Sequence, residues 1–262
     1  MSEVVLEAGD VVATLDPKGG RLSQLTVGGH DLLVAFTDRW SLSGCYPMVP
    51  WAGRLDRGRF TFGGVDHELP ITMDPHAIHG VAMEAVWDVV GDGRMRIPLA
   101  DGWPLGGVAE TSYALTADAL TCTVTVIATD HAMPAVVGFH PCFTRELAGH
   151  RDELTFEPGF MWERGDDYLP TGARLRPPPP GPWDDCFGGV DAPPRLTWGD
   201  ALSVELRSAT DTWVTFDQLD AAICVEPQTD TPDAFNLSGG QVLEPGECLS
   251  LTLEIVWDHL PV

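Results

Sequence analysis

The feature that most constrains this chain is a two-residue alternation of apolar and polar side chains that returns in short runs along its length. Leu120, Cys122, Val124, Val126 and Ala128 fall on one face of an extended segment, while Thr121, Thr123 and Thr125 fall on the other. Successive side chains of a strand point to opposite sides, so this pattern buries one face of an antiparallel sheet and wets the other. The run from Leu249 to Trp257 repeats it, with Leu251, Leu253 and Ile255 alternating against Ser250, Thr252 and Glu254. Shorter runs with strand character are Val4 to Leu6, Val11 to Leu15, Leu22 to Val27, Phe60 to Phe62, Trp87 to Val90, Thr111 to Leu115, Ala135 to Phe139, Val204 to Leu206, Trp213 to Phe216 and Ala221 to Val225. Between them lie 28 Gly and 22 Pro, which supply positive-φ and fixed-φ corners and break any helix they fall inside. Many short strands punctuated this densely predict an all-β sandwich or barrel with little helix.

The length of 262 residues permits one large or two ordinary domains. One stretch, RPPPPGP from Arg176 to Pro182, has the stiff, extended character of a linker. The same strand-rich composition continues on both sides of it, so it reads as a long surface loop within one domain spanning residues 1–262.

Charge narrows the range of partners. With 15 Lys+Arg against 39 Asp+Glu, the formal net charge is −24, which repels phosphate backbones and anionic lipid. Nucleic acid, membrane surfaces and polyanionic substrates are therefore not expected as partners. Hydrophobic residues make up 44% and charged residues 21%, a composition that builds a core rather than a disordered chain. The start, MSEVVLEAGDVVATL, lacks a basic segment followed by an apolar one, and no run of about 18 uncharged apolar residues occurs. The six cysteines are scattered with no Cys-x-x-Cys pair, and several lie in apolar runs, as reduced thiols do. A cytoplasmic protein is the expectation.

Five segments interrupt the alternation with polar groups. YPMVPWAGR, Tyr46 to Arg54, ends in an arginine that is either a surface cation in a turn or one aimed by its Pro and aromatic neighbours. HAIHG, His76 to Gly80, carries two histidines three apart. That spacing shares one face only on a helix, and this stretch follows a Pro and precedes a Gly, so no zinc site is expected. His79 reads either as a solvent-facing histidine or as a loop-borne hydrogen-bond donor, with Gly80 letting a ligand approach. In VVGFHPCF, Val136 to Phe143, Pro141 is expected to stop the ladder and leave His140 at a strand end, as a core histidine or as one that titrates near neutrality. WDDCF, Trp183 to Phe187, has two adjacent carboxylates that a strand would turn to opposite sides, so at most one faces a pocket. In AICVEPQTDTPDAFN, Ala222 to Asn236, four apolar residues lead into Glu226, which Pro227 is expected to hold at a strand terminus. A carboxylate desolvated in this way has a raised pKa and makes a better base.

Taken in order, WAGR at 51–54, HG at 79–80, GFHPCF at 138–143, DDCF at 184–187 and EPQTDTPDAFN at 226–236 resemble the aldose 1-epimerase (galactose mutarotase) family. The resemblance implies a large antiparallel β-sandwich of the galactose mutarotase-like type, with an open sugar cleft and no cofactor or metal. It implies interconversion of the α and β anomers of a free hexose, with Glu226 as general base and His140 as general acid. Arg54, His79 and Asp184 would contact sugar hydroxyls, with Asp185 as the alternative to Asp184. The expected partner is a small sugar, and the protein a monomer or homodimer. Two departures are visible: Leu55 and Asp56 follow Arg54 where relatives have an Asn beside the arginine, and GFHPCF replaces the more familiar asparagine-histidine-x-tyrosine-phenylalanine form. The GFHPCF form lies closer to a divergent, aldose 1-epimerase-like branch. Rival readings are a hexose-phosphate epimerase, for which Arg54, Arg57 and Arg59 would have to gather around the phosphate, and a non-catalytic carbohydrate-binding protein.

Overall fold

The computed structural model describes residues 2–35 and 40–258. Its strands form two large antiparallel sheets, one of eleven strands and one of eight, with four two-stranded ribbons and one short α-helix, Ala234–Leu237, among the described residues. This is the antiparallel β-sandwich that the alternation predicts. A continuous apolar core joins the two sheets, with Leu15, Leu25, Tyr46 and Phe143 from the larger and Leu120, Val124 and Leu253 from the smaller.

The smaller sheet shows how the alternation becomes register. Ala119–Ile127 pairs with Cys248–Asp258 so that Leu120 faces Ile255, Cys122 faces Leu253 and Val124 faces Leu251. All of these side chains are buried. On the outer face Thr123 and Thr252 share a hydrogen bond of 3.0 Å, and Thr125 and Ser250 one of 2.8 Å. A slip of one residue would put every one of these leucines and valines in water, so the pairing admits one register.

The larger sheet departs from that regularity at its centre. Cys45–Met48, Gly138–Thr144 and Ala222–Gln228 lie side by side, and nearly every residue in them is buried, because both faces of these strands are covered. Three expectations need correction here. Ala135 to Phe139 is not one strand: Met133–Ala135 pairs with Gln241–Leu243, and a new strand begins at Gly138. His140 and Glu226 are not at strand ends but inside Gly138–Thr144 and Ala222–Gln228. The prolines do not end these strands, because each turns its missing N–H toward the gap between them. Cys142 N–H donates to Gly44 O on the far side, so Pro141 before it faces the glutamate strand. Thr229 N–H donates to Val137 O, so Pro227, two residues earlier, faces the histidine strand. Between these strands Gly138 pairs with Gln228 and Cys142 with Cys224, while no residue from Phe139 to Pro141 pairs with the glutamate strand. A proline costs a ladder bond only where a donor was needed.

The proline-rich Arg176–Pro182 segment is a largely exposed connection between Pro170–Leu175 and Asp184–Val190, which flank Pro158–Arg164 in the larger sheet. None of the helices is long and apolar enough to cross a membrane among the described residues.

Candidate active site

Over this central gap lies a cleft of about 340 Å³, within the range of pockets that take one small molecule. Arg54, His79, His140, Asp184, Glu226 and Gln228 supply its polar wall. Leu42, Ile78, Val214, Phe216 and Leu219 supply much of the apolar one. The five site residues expected from the sequence thus border one cavity, although 172 positions separate the first from the last.

At the floor His140 Nε2 lies 3.2 Å from Glu226 Oε1, and both side chains are almost wholly buried. The strand gap leaves room for this pair, because no ladder draws the two backbones together at that point. Gln228 Nε2 donates to the other Glu226 oxygen at 3.3 Å. The Tyr46 ring stacks on His140 at 4.8 Å, and His79 meets it edge-on at 5.0 Å. Burial pushes Glu226 up, and although His140 pulls it back, the nearby Asp184 adds to the rise and leaves it at about 7. Burial alone would lower His140, but the Glu226 carboxylate, helped by Cys224, lifts it to about 9. Between these values Glu226 is ionised and His140 protonated, the opposed states that proton transfer in two directions requires. The two titrate as one coupled pair.

His79 is held in a left-handed backbone conformation, φ 58°. Gly53 fixes it from two sides: Gly53 N–H donates to His79 Nδ1 at 3.3 Å, and His79 N–H donates to Gly53 O at 3.1 Å. Burial, then His140 and Arg54, push its pKa well down, so the ring is neutral. With Nδ1 accepting, the remaining proton sits on Nε2, and His79 is a donor to a ligand oxygen. Gly53 cannot carry a side chain, because a Cβ there would stand 2.8 Å from Pro232 Cβ. Gly80 does not serve ligand approach, as expected from the sequence, but backbone packing: a Cβ would fall 1.7 Å from Val49 O. His76, the other histidine of that segment, accepts from Arg57 N–H and reaches Asp167 O, away from the cleft, so the two histidines share no centre. Donor atoms of His79, His140 and Glu226 do lie within 4.8 Å of one another. In this arrangement His140 and Glu226 bond each other and the Gly53 N–H occupies His79 Nδ1.

Arg54 is aimed rather than free. Its guanidinium bonds Asp184 Oδ2 at 3.0 Å and stacks on the Tyr168 ring, whose centroid also lies 4.6 Å from Arg164. Of the two carboxylates, Asp184 borders the cleft, whereas Asp185 is buried against Arg164 at 3.2 Å and does not. The second half of the 226–236 segment builds the other wall. Asp233 N–H donates to Arg54 O, and Asp233 Oδ1 accepts from Asp56 N–H, which anchors the arginine loop. Leu55 is buried in the core and Asp56 lies outside the cleft, so neither replaces the missing Asn. Sequence reasoning missed Tyr46, Gln228, Arg164 and Tyr168 as parts of the site. The first two lie in quoted segments, and their flank positions carry the signal; nothing local marks the last two.

The family model for aldose 1-epimerases matches residues 2–179, which include Arg54, His79 and His140 but neither Asp184 nor Glu226. YphB of Escherichia coli K12, described as an uncharacterized protein, is 25% identical over 245 residues, 81% of this chain and 84% of its own. Among solved structures, a galactose mutarotase-like protein from Clostridium acetobutylicum superposes with a TM-score of 0.83 at 18% identity, covering 97% of this chain and 94% of that one. A GalM/aldose epimerase homologue from C. elegans gives 0.83 at 17% identity and covers 99% of both chains.

Proposed function

This chain belongs to the aldose 1-epimerase family, and from that premise we propose that it interconverts the α and β anomers of a free hexose such as galactose or glucose. The observation that carries the reading is the buried His140–Glu226 contact of 3.2 Å at the floor of a cleft sized for one small molecule. Glu226 takes the proton from the anomeric hydroxyl while His140 Nε2 gives one to the ring oxygen. The ring opens, the aldehyde rotates about its first carbon–carbon bond, and closure reverses both transfers. His79 Nε2–H and the Arg54–Asp184 pair hold the sugar's hydroxyls. Each positioned proton-transfer group contributes about 10²–10⁴-fold.

Two features weigh against the rivals. Arg57 and Arg59 do not line the cleft, and Arg54 is already matched by Asp184, so among the described residues no unmatched arginine or lysine lines the cleft for a phosphate. A binding module needs no raised carboxylate, whereas Glu226 stands at about 7. Freshly dissolved α-galactose or α-glucose, followed by polarimetry or NMR, is expected to equilibrate faster with the protein than without. Glu226→Ala and His140→Ala should each lower the rate at least about a hundredfold. Wild-type rates in both variants would overturn the assignment, and turnover confined to hexose phosphates would favour the phosphate reading.

A further inference from the structure

The departure from the familiar form around the histidine has a structural consequence. His140 and Cys142 are two apart on one strand and so share a face, and Cys142 stands directly opposite Cys224 on the glutamate strand. Two buried thiols therefore lie beside the imidazole on the side away from Glu226. Cys142 Sγ is 3.3 Å from His140 Nδ1, 3.3 Å from Cys224 Sγ and 3.7 Å from Ser41 O. A carbonyl oxygen only accepts, so the Cys142 S–H goes to Ser41 O, the Cys224 S–H goes to Cys142 Sγ, and sulfur lone pairs of Cys142 are left facing Nδ1.

Resting on the acid–base reading above, we infer that Cys142 is a positioning residue for His140: its sulfur accepts the Nδ1–H, so the proton exchanged with the sugar is the one on Nε2. Cys224 holds the Cys142 thiol in that orientation. In the reaction the imidazolium loses Nε2–H to the ring oxygen and remains as the neutral Nδ1–H tautomer, while Glu226 holds the anomeric proton; closure returns both. Which ring nitrogen keeps its proton is set by the partner of the other. A thiol suits the task because it is a weak acceptor: it orients Nδ1–H without binding the proton as a carboxylate would. Among the described residues, the titratable groups facing the imidazole are Glu226 and Cys224 from the glutamate strand, Tyr46 from Cys45–Met48, His79 from its loop and Cys142 from its own strand. Burial pushes Tyr46 up and His79 down, and a hydrogen bond with Cys142 together with burial pushes Cys224 up, so these three stay neutral near the working pH.

The test is the kinetics of Cys142→Ala and Cys142→Ser against wild type. Cys142→Ala should lower kcat about tenfold with KM changed less than about twofold, and should move the alkaline limb of the pH profile to lower pH, because the imidazolium loses an acceptor. Cys142→Ser, which restores an acceptor, should recover most of kcat and move the limb back. In ¹⁵N-labelled wild type, at a pH above the alkaline limb, where the imidazole is neutral, the single ring proton of His140 should sit on Nδ1 rather than Nε2 and be protected from solvent exchange. Wild-type kcat and an unmoved limb in Cys142→Ala, or an unprotonated Nδ1, would overturn the inference. The ¹⁵N measurement decides if the alanine variant fails to fold. If Glu226→Gln is inactive while Cys142→Ala behaves as wild type, the positioning role alone fails; if Glu226→Gln turns over normally, the acid–base reading fails with it.

Discussion

The two sheets of this protein use the same strand physics to opposite ends. In the smaller sheet the pairing of Ala119–Ile127 with Cys248–Asp258 runs unbroken for nine residue pairs, apolar inward, with Thr121–Glu254, Thr123–Thr252 and Thr125–Ser250 at the middle of the outward face. In the larger sheet the ladder between Gly138–Thr144 and Ala222–Gln228 is open around His140 and Glu226, both faces are covered, and polar groups lie where the smaller sheet has leucine and valine. An unbroken ladder satisfies its backbone and leaves its side chains only packing to do. An opened one leaves space between strands, into which an imidazole and a carboxylate can reach at the cost of partial desolvation. The difference teaches that the irregular strands are where pKa values move, and that prolines mark the place by removing donors that have nothing to bond.

That contrast predicts separable losses. The largest concerns pH: kcat/KM should be bell-shaped, falling about tenfold per pH unit outside its limbs. Glu226 must be ionised, so activity falls as pH drops below about 7, and His140 must be protonated, so it falls as pH rises above about 9. A profile flat from pH 5 to pH 10 would break the link between the open ladder and titration. Next, Leu253→Ala, in the regular sheet, should cost about 2–5 kcal/mol of stability by denaturant unfolding while leaving kcat of the folded protein intact. An equal loss of kcat would show that the two sheets are not separable. Asp184→Asn should raise KM about tenfold by releasing Arg54, with a smaller effect on kcat, in steady-state kinetics over a range of sugar concentration. The smallest effect is expected for Thr123→Ala, which removes a cross-strand hydroxyl pair on the outer face and should lower stability by about 0.2–1 kcal/mol with no kinetic change.

In the regular sheet the Ala119–Ile127 and Cys248–Asp258 pair was legible in the sequence, because period two reports burial directly and both halves carry it. Arg94–Pro98, Glu153–Thr155 and Arg195–Trp198 of the same sheet were not among the expected runs. The irregular sheet was legible in its residues but not in its geometry. Glu226 and His140 stood out as polar groups embedded in apolar runs, yet Pro141 and Pro227 suggested strand ends where there are strand interiors. A proline in sequence shows a missing donor without showing the direction in which it is missing. Gly80 misled in the same way, since a glycine announces close approach but not of what, and here the neighbour is the Val49 backbone.

By itself the sequence determined an antiparallel all-β fold, an acidic exterior and the residues able to do chemistry, because alternation, turn chemistry and side-chain type are local properties of a chain. Only the tertiary structure decided that Asp184 rather than Asp185 meets Arg54, that Tyr168 and Arg164 brace this pair, and that Cys142 lies against the imidazole. Each of these depends on which strands become neighbours and on the angle at which a side chain leaves a twisted sheet. Distances of about 3 Å between residues more than a hundred positions apart are set by the packing of the whole sandwich, not by any segment within it.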